Sequence, residues 1–148
     1  MTTIALQSQG TELSVSTDSG TTWTDLGCVI DGFSGPGGSK PEIDVTTLCS
    51  AGQEFIDGLP DYGSISFTGL YNPNSEPAQE LLTLYKGGRT NVDWKITFSD
   101  TYGSTWEFEG YVSQFAVSFQ KNEVVRLSGA VRVSGDITET VGVEPVGP

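Results

Sequence analysis

Histidine is absent from this chain of 148 residues. That absence removes Ser-His-Asp and Cys-His nucleophilic catalysis and most zinc sites, because both depend on the imidazole ring. Basic residues are scarce: seven Lys and Arg stand against 19 Asp and Glu, a formal net charge of −12 at pH 7. Affinity for phosphates comes from Lys and Arg displacing condensed counterions, so a nucleic-acid-binding role is excluded, and an anionic membrane surface repels the chain as well. No apolar run approaches the roughly 20 residues that span a bilayer. The first eight residues, Met1 to Ser8, have neither the basic nor the apolar part of a secretory signal, and folding in a cytoplasm is the expectation. Only two cysteines occur, Cys28 and Cys49. Their pairing is open, with the reducing compartment opposing a disulfide, and their spacing is not that of a metal site.

What remains is sufficient for one domain. Hydrophobic residues make up 36% of the chain and aromatics 10%, and a domain of this length buries about 68–70% of its unfolded surface without staples. The dominant period is two. Leu13 and Val15 alternate with polar residues, and the run Trp23 to Ile30 follows a small polar turn, which reads as a hairpin. From Asp31 to Pro41 glycine and proline interrupt all periodicity; Ile43 and Val45 resume a short alternation, and Phe55, Ile56 and Leu59 lie among Gly52, Gly58 and Pro60. The stretch 31–62 is thus predicted to be one long loop, of the kind that is functional when it occurs inside a compact domain.

Beyond it the pattern sharpens. Ile65, Phe67 and Tyr71 oppose Ser64, Ser66 and Thr68. One helix is predicted at about 75–86: Asn74 or Ser75 caps it, Pro77 sits in its first turn, Ala78, Leu81, Leu82 and Tyr85 form its apolar stripe, and Gly87 with Gly88 stops it. Val92, Trp94, Ile96 and Phe98 form a strand that turns at Asp100 to Gly103 into Trp106 and Phe108. The apolar phase then moves to Tyr111, Phe115, Val117 and Phe119, with Gly110 marking the expected bulge. Val125 to Val133 gives the last strong strand, and no internal repeat is visible. The fold class is all-β with one helix: an antiparallel sandwich or barrel spanning 1–135, with 136–148 as a C-terminal arm.

Motifs that carry chemistry are few. Ser16, Asp18, Gly20, Thr22 and Trp23 match the S-x-D-x-G-x-T-W box of sialidase-type propellers, which is a hairpin element and not a catalytic one. One copy in a short chain does not make a propeller. Glu107, Glu109 and Asp93 fall on the polar faces of neighbouring strands, so an acid hydrolase is conceivable; an acidic solvated face is the plainer reading. Trp94 and Trp106 lie on the apolar phase, which favours core packing over a sugar-stacking platform. Gly35 to Lys40 lacks the phosphate-loop pattern. No catalytic, cofactor or metal residue is assigned.

The order of elements is more informative than any motif. The segment from Ile43 through Asp44, Val45 and Leu48 to Gly58, Leu59, Asp61, Gly63 and Ile65 resembles the D-V-T-x-L … G-L-x-D-x-G-x-I signature of major tail tube proteins of long-tailed phages. The resemblance continues through Tyr71 to Pro73, the predicted helix, Trp94 to Phe98, Phe108 to Ser113 and Lys121 to Gly135, which together cover most of the chain. It implies a β-sandwich subunit that closes into six-membered rings, with rings stacked into a hollow tail for DNA passage. Tape measure, tail terminator and tail tip proteins are the implied partners, the assembled virion tail the implied location, and no cofactor is implied. Some members carry a further immunoglobulin-like domain, which is not expected here.

Two sets of residues follow as candidates. Ile43, Val45, Phe55, Ile56 and Leu59 are too apolar for a free loop and are expected to contact a neighbouring subunit or ring, with the loop and C-terminal arm ordering on assembly. Asp93, Glu107 and Glu109 are expected to contribute to a negative lumen that repels DNA. Two alternatives stay open: a tube subunit of a contractile injection or type VI secretion-like system, and a small carbohydrate-binding β-sandwich.

Overall fold

The computed structural model describes residues 5–27, 29–87 and 90–143; Cys28, Gly88 and the end of the C-terminal arm lie outside the described residues. Nine strands and one helix follow in the order β1 Glu12–Ser16, β2 Thr24–Asp25, β3 Ile30–Ser34, β4 Glu42–Asp44, β5 Phe55–Asp57, β6 Ser64–Leu70, α1 Glu76–Lys86, β7 Val92–Thr97, β8 Thr105–Ser118 and β9 Arg126–Thr140. Seven of the strands form one antiparallel sheet in the order β2-β1-β7-β8-β9-β6-β3, and β4 pairs with β5 alone.

That order forces the sheet to curl. Seven strands laid flat would place β2 and β3 about 29 Å apart at roughly 4.8 Å per gap. Asp25 and Ile30 are so close in sequence that an extended chain bridges at most about 18 Å. Leu26 to Val29 makes the crossing: the Leu26 amide donates to Leu13 O at 2.8 Å, and the Leu70 amide donates to Val29 O at 2.8 Å. The predicted strand over Trp23 to Ile30 is therefore broken at its middle, and its two ends join opposite edges. Gly69 of β6 lies opposite Ile30, under the end of this crossing. A Cβ there would run into the Val29 carbonyl oxygen, so only glycine fits.

The concave face holds the core. Leu13, Val15, Leu26, Ile65, Phe67, Trp94, Ile96, Leu127 and Val131 are buried there, with Ala78 and Leu81 of α1. Helix α1 packs against β8 through Tyr85, whose ring stacks on Phe115 at 6.2 Å. Ser75 caps it without a side-chain bond, and Gly87 ends it by donating to Thr83 O. Trp94 is fully buried, and its indole N–H donates to Gly110 O at 3.1 Å.

Three boundaries differ from the periodicity. β3 occupies part of the segment read as loop, because pairing with β6 turns Phe33 inward opposite Phe67. The inward phase of β8 persists through Phe108, Gly110 and Val112, so the phase change falls at Ser113, the extra residue between the Val112–Val131 and Gln114–Ala130 pairs, and not at Gly110. Gly110 has another role: a Cβ would approach Arg132 O to 2.6 Å. Finally, β9 runs past Gly135 to Thr140 and pairs with the start of β8, absorbing the first residues of the stretch read as an arm.

The box of residues 16–23 forms the turn its sequence describes. The Gly20 amide donates to Ser16 Oγ at 2.9 Å and the Thr22 amide to Asp18 Oδ1 at 2.8 Å, while Ser19 and Gly20 hold positive φ. Hydrogen bonds to its carboxylate, from the Thr22 amide first and then the Ser16 hydroxyl at 2.7 Å, lower the Asp18 pKa from 3.8 to about 2. The sign follows directly: a carboxyl depressed by folding stabilises the native state above its unfolded pKa, and that contribution is lost as pH falls through its folded value. Thermal melts from about pH 4 to about pH 2 are expected to fall less steeply for Asp18→Asn than for the unsubstituted chain; equal slopes would show that the turn carries no linkage.

Candidate functional site

The five candidate contact residues share one projecting element. β4 and β5 form a two-stranded ribbon whose side chains are all exposed. Ile43 lies opposite Ile56, so these two and Val45 share one face, while Phe55 opposite Asp44 occupies the other. Leu59 is 87% exposed and Leu48, near the tip, is fully so. An isolated two-stranded ribbon is marginal in water, and this one exposes Ile43, Val45 and Ile56 on one face and Phe55 among Glu42, Asp44 and Asp57 on the other, with nothing of its own to cover them.

The ribbon is nevertheless organised locally. At its tip the Glu54 amide donates to Thr46 Oγ1 at 2.7 Å, the Thr46 amide to Asp44 Oδ1 at 2.9 Å and the Ser50 hydroxyl to Glu54 Oε2 at 2.9 Å. The Thr46 bonds hold the Asp44 carboxyl below its ordinary range. At its base Ser39 and Asp61 exchange two backbone bonds. Arg132 of β9 meets the Asp61 carboxylate at 2.9 Å, and Tyr62 donates its hydroxyl to Asp136 at 2.6 Å. The stretch predicted as loop is thus a braced hairpin with its backbone already paired. Cys49 lies at the tip as a free, exposed thiol.

The acidic candidates also come together. In the β7–β8 ladder Asp93 stands opposite Glu109 and Lys95 opposite Glu107. With Asp136, Ser134 and Trp23 these carboxylates border an open cleft beside the Ser16–Trp23 turn. Lys95 reaches over the Trp23 ring at 4.4 Å. Among the described residues no group of three or more potential ligands could hold a metal ion. Trp94 is fully buried and offers no stacking face, while Trp106 is half-buried, in T-shaped contact with Phe98 at 5.2 Å.

Sequence reasoning missed the outer face of β3, β6, β9 and β8. The hydroxyl alternation of Ser64, Ser66 and Thr68 was visible, but nothing in it shows which strands adjoin β6.

Comparison with known proteins adds the following. A family model described as phage tail tube, TTP, lambda-like, matches residues 4–105. Structural protein 3 of Pseudomonas phage PAJU2 is 27% identical over 151 residues, covering 88% of this chain and 91% of that protein. The tail of an empty gene transfer agent particle, determined with C6 symmetry, superposes with a TM-score of 0.74 at 13% identity, covering 93% of this chain and all of the other. The SPP1 tail tube superposes at 0.69 and 12% identity, covering 95% and 81%.

Proposed function

We infer the workings of this protein from one premise: the chain belongs to the lambda-like phage tail tube family. It is a structural subunit of a phage tail tube, a virion component and not an enzyme. We propose that copies join head to tail into six-membered rings and that rings stack into a hollow tube through which DNA passes unbound. A heterologous interface closes into a ring where its rotation permits, and a second one along the axis extends the ring into a tube. The six-fold symmetry of the gene transfer agent tail, which has the same fold, supports the ring number. Tape measure, terminator and tip proteins complete the proposed set of partners.

The observation that carries this reading is the braced, apolar β4–β5 ribbon. Ile43, Val45, Phe55, Ile56 and Leu59 are the proposed contacts with a neighbouring subunit or ring, since they are exposed in the single chain and held ready by hydrogen bonds at tip and base. The net charge of −12 serves the cargo: a subunit poor in free cations does not hold phosphates by counterion release.

Negative-stain electron microscopy of the purified chain over a concentration series, with light scattering alongside, is expected to show uniform rings or hollow tubes. A monomer at every concentration that also fails to polymerise on isolated tail tips overturns the assembly reading.

A further inference from the structure

Exposed apolar side chains gather at a second place, where the end of helix α1 meets the far end of β8. Phe115 and Val117 alternate along that strand and are half-buried, and Phe119, one residue past its end, is 75% exposed. Tyr85, in the last turn of α1, stacks on Phe115 at 6.2 Å and is itself exposed. These side chains make an aromatic strip with its outer end uncovered.

Charge singles out the same strip. Lys40 meets Asp57 at 3.8 Å, Lys95 lies over the Trp23 ring, Arg126 meets Asp31 and Arg132 meets Asp61. Among the described residues Lys86 and Lys121 alone have neither a carboxylate at ion-pair distance nor a ring as partner. They flank the strip: Lys86 follows Tyr85 directly, and Lys121 lies in the turn just after Phe119. Lys86 also suits the C-terminus of α1, but Lys121 has no such role. The turn carries Glu123 as well, which leaves the strip net basic.

The ribbon presents the complement. On one of its faces Phe55 stands opposite Asp44, and Glu42 stands opposite Asp57, so an exposed ring is bordered by carboxylates. Ribbon and strip do not meet within one chain. The ribbon is tied to β9 through Asp61 at Arg132 and through Tyr62 at Asp136, whereas the strip lies beside the other end of that strand, where Arg126 pairs with Ser118. Arg126 and Arg132 are about 20 Å apart at roughly 3.3 Å per residue. Complementary surfaces at opposite ends of one strand join copies head to tail, the heterologous geometry that rings and tubes require.

Building on the tube reading, we propose that the strip of Tyr85, Phe115, Val117 and Phe119 is the seat for the ribbon of a second copy, with Phe55 packed on its rings and Lys86 and Lys121 set against Glu42, Asp44 and Asp57. The apolar centre supplies affinity, and the charges choose which face of the ribbon docks.

Two measurements test it. Lys86→Glu/Lys121→Glu has an acidic seat and an acidic ribbon; Glu42→Lys/Asp57→Lys has a basic seat and a basic ribbon. Each alone is expected to raise the polymerisation threshold about tenfold or more, because like charges face each other. An equimolar mixture is expected to polymerise near the threshold of the unsubstituted chain, since every seat then finds a ribbon of opposite sign, a rescue that misfolded chains would not give. A mixture as inert as its components, or variants that each polymerise at the unchanged threshold, overturns the seat.

The second measurement needs no variant. Zero-length carbodiimide coupling of unsubstituted tubes is expected to join Lys86 or Lys121 to Glu42, Asp44 or Asp57, and to do so in tubes but not in monomers, with the Lys40–Asp57 link within each chain as internal standard. Tubes in which that standard forms and neither lysine is joined to the ribbon overturn the proposal, whereas absence of tubes from the unsubstituted chain strikes the assembly reading instead.

Discussion

A chain carrying Phe55→Ser, Ile56→Ser and Leu59→Ser is expected to fold normally and to make no tubes at concentrations where the unsubstituted chain does. All three side chains are exposed and stand outside the core cluster, so their loss leaves the fold intact. Full burial of such a side chain contributes about 1.5–3 kcal/mol. Phe55 and Ile56 are already about half covered in the free subunit, so a gain of roughly 1 kcal/mol each on assembly is a fair scale. Losing about 3 kcal/mol per contact weakens it on the order of a hundredfold, at 1.4 kcal/mol per tenfold. Light scattering would register this as a shift in the polymerisation threshold, and circular dichroism would check the fold. Tubes forming at the unchanged threshold would remove these residues from the interface.

The second large effect lies in the core. Trp94→Ala is expected to cost about 3–5 kcal/mol, from lost burial and the cavity left behind. That is a large share of the roughly 5–15 kcal/mol that holds a domain together. Trp94 combines full burial with the bond to Gly110 O, and its ladder neighbours Val15 and Phe108 are themselves buried, so relaxation into the space is limited. A fall in Tm on the order of 10 °C follows for a domain of this size. Trp94→Phe keeps most of the volume but loses the indole bond to Gly110 O, a cost of about 0.5–1.5 kcal/mol. Urea titrations of the three chains as monomers separate the two contributions. A loss below about 1 kcal/mol for Trp94→Ala would mean that the core collapses around the site.

The legible parts of the fold share one property: their causes lie within a few residues. The Asp18 turn is closed by bonds from the Gly20 amide back to Ser16 and from the Thr22 amide back to Asp18, and the Asp100 turn by bonds from Ser104 back to Asp100. The α1 stripe of Ala78 and Leu81 and the alternation of Ile65 and Phe67 report one buried face each. The apolar character of Phe55, Ile56 and Leu59 marked an uncovered surface before any strand was placed there, although the ribbon that carries them was read as loop. β4 and β5 were not legible because three-residue strands carry too little periodicity.

Residues alone therefore determined that this is an acidic, histidine-free, mainly antiparallel β protein with one helix and an apolar segment left over. Their order carried the family resemblance. What only the tertiary structure decided depends on which distant strands adjoin: the close approach of Val29 to Gly69 where the chain crosses to β3, the phase change at Ser113, and the meeting of Arg126 with Asp31 and of Arg132 with Asp61. Side-chain alternation fixes which face of a strand is buried, but it has no memory of the neighbour. Backbone hydrogen bonds are identical from one strand to the next, so the strand order, and the zones of hydroxyl and of acid that it assembles on the convex face, emerge only when the whole core packs at once.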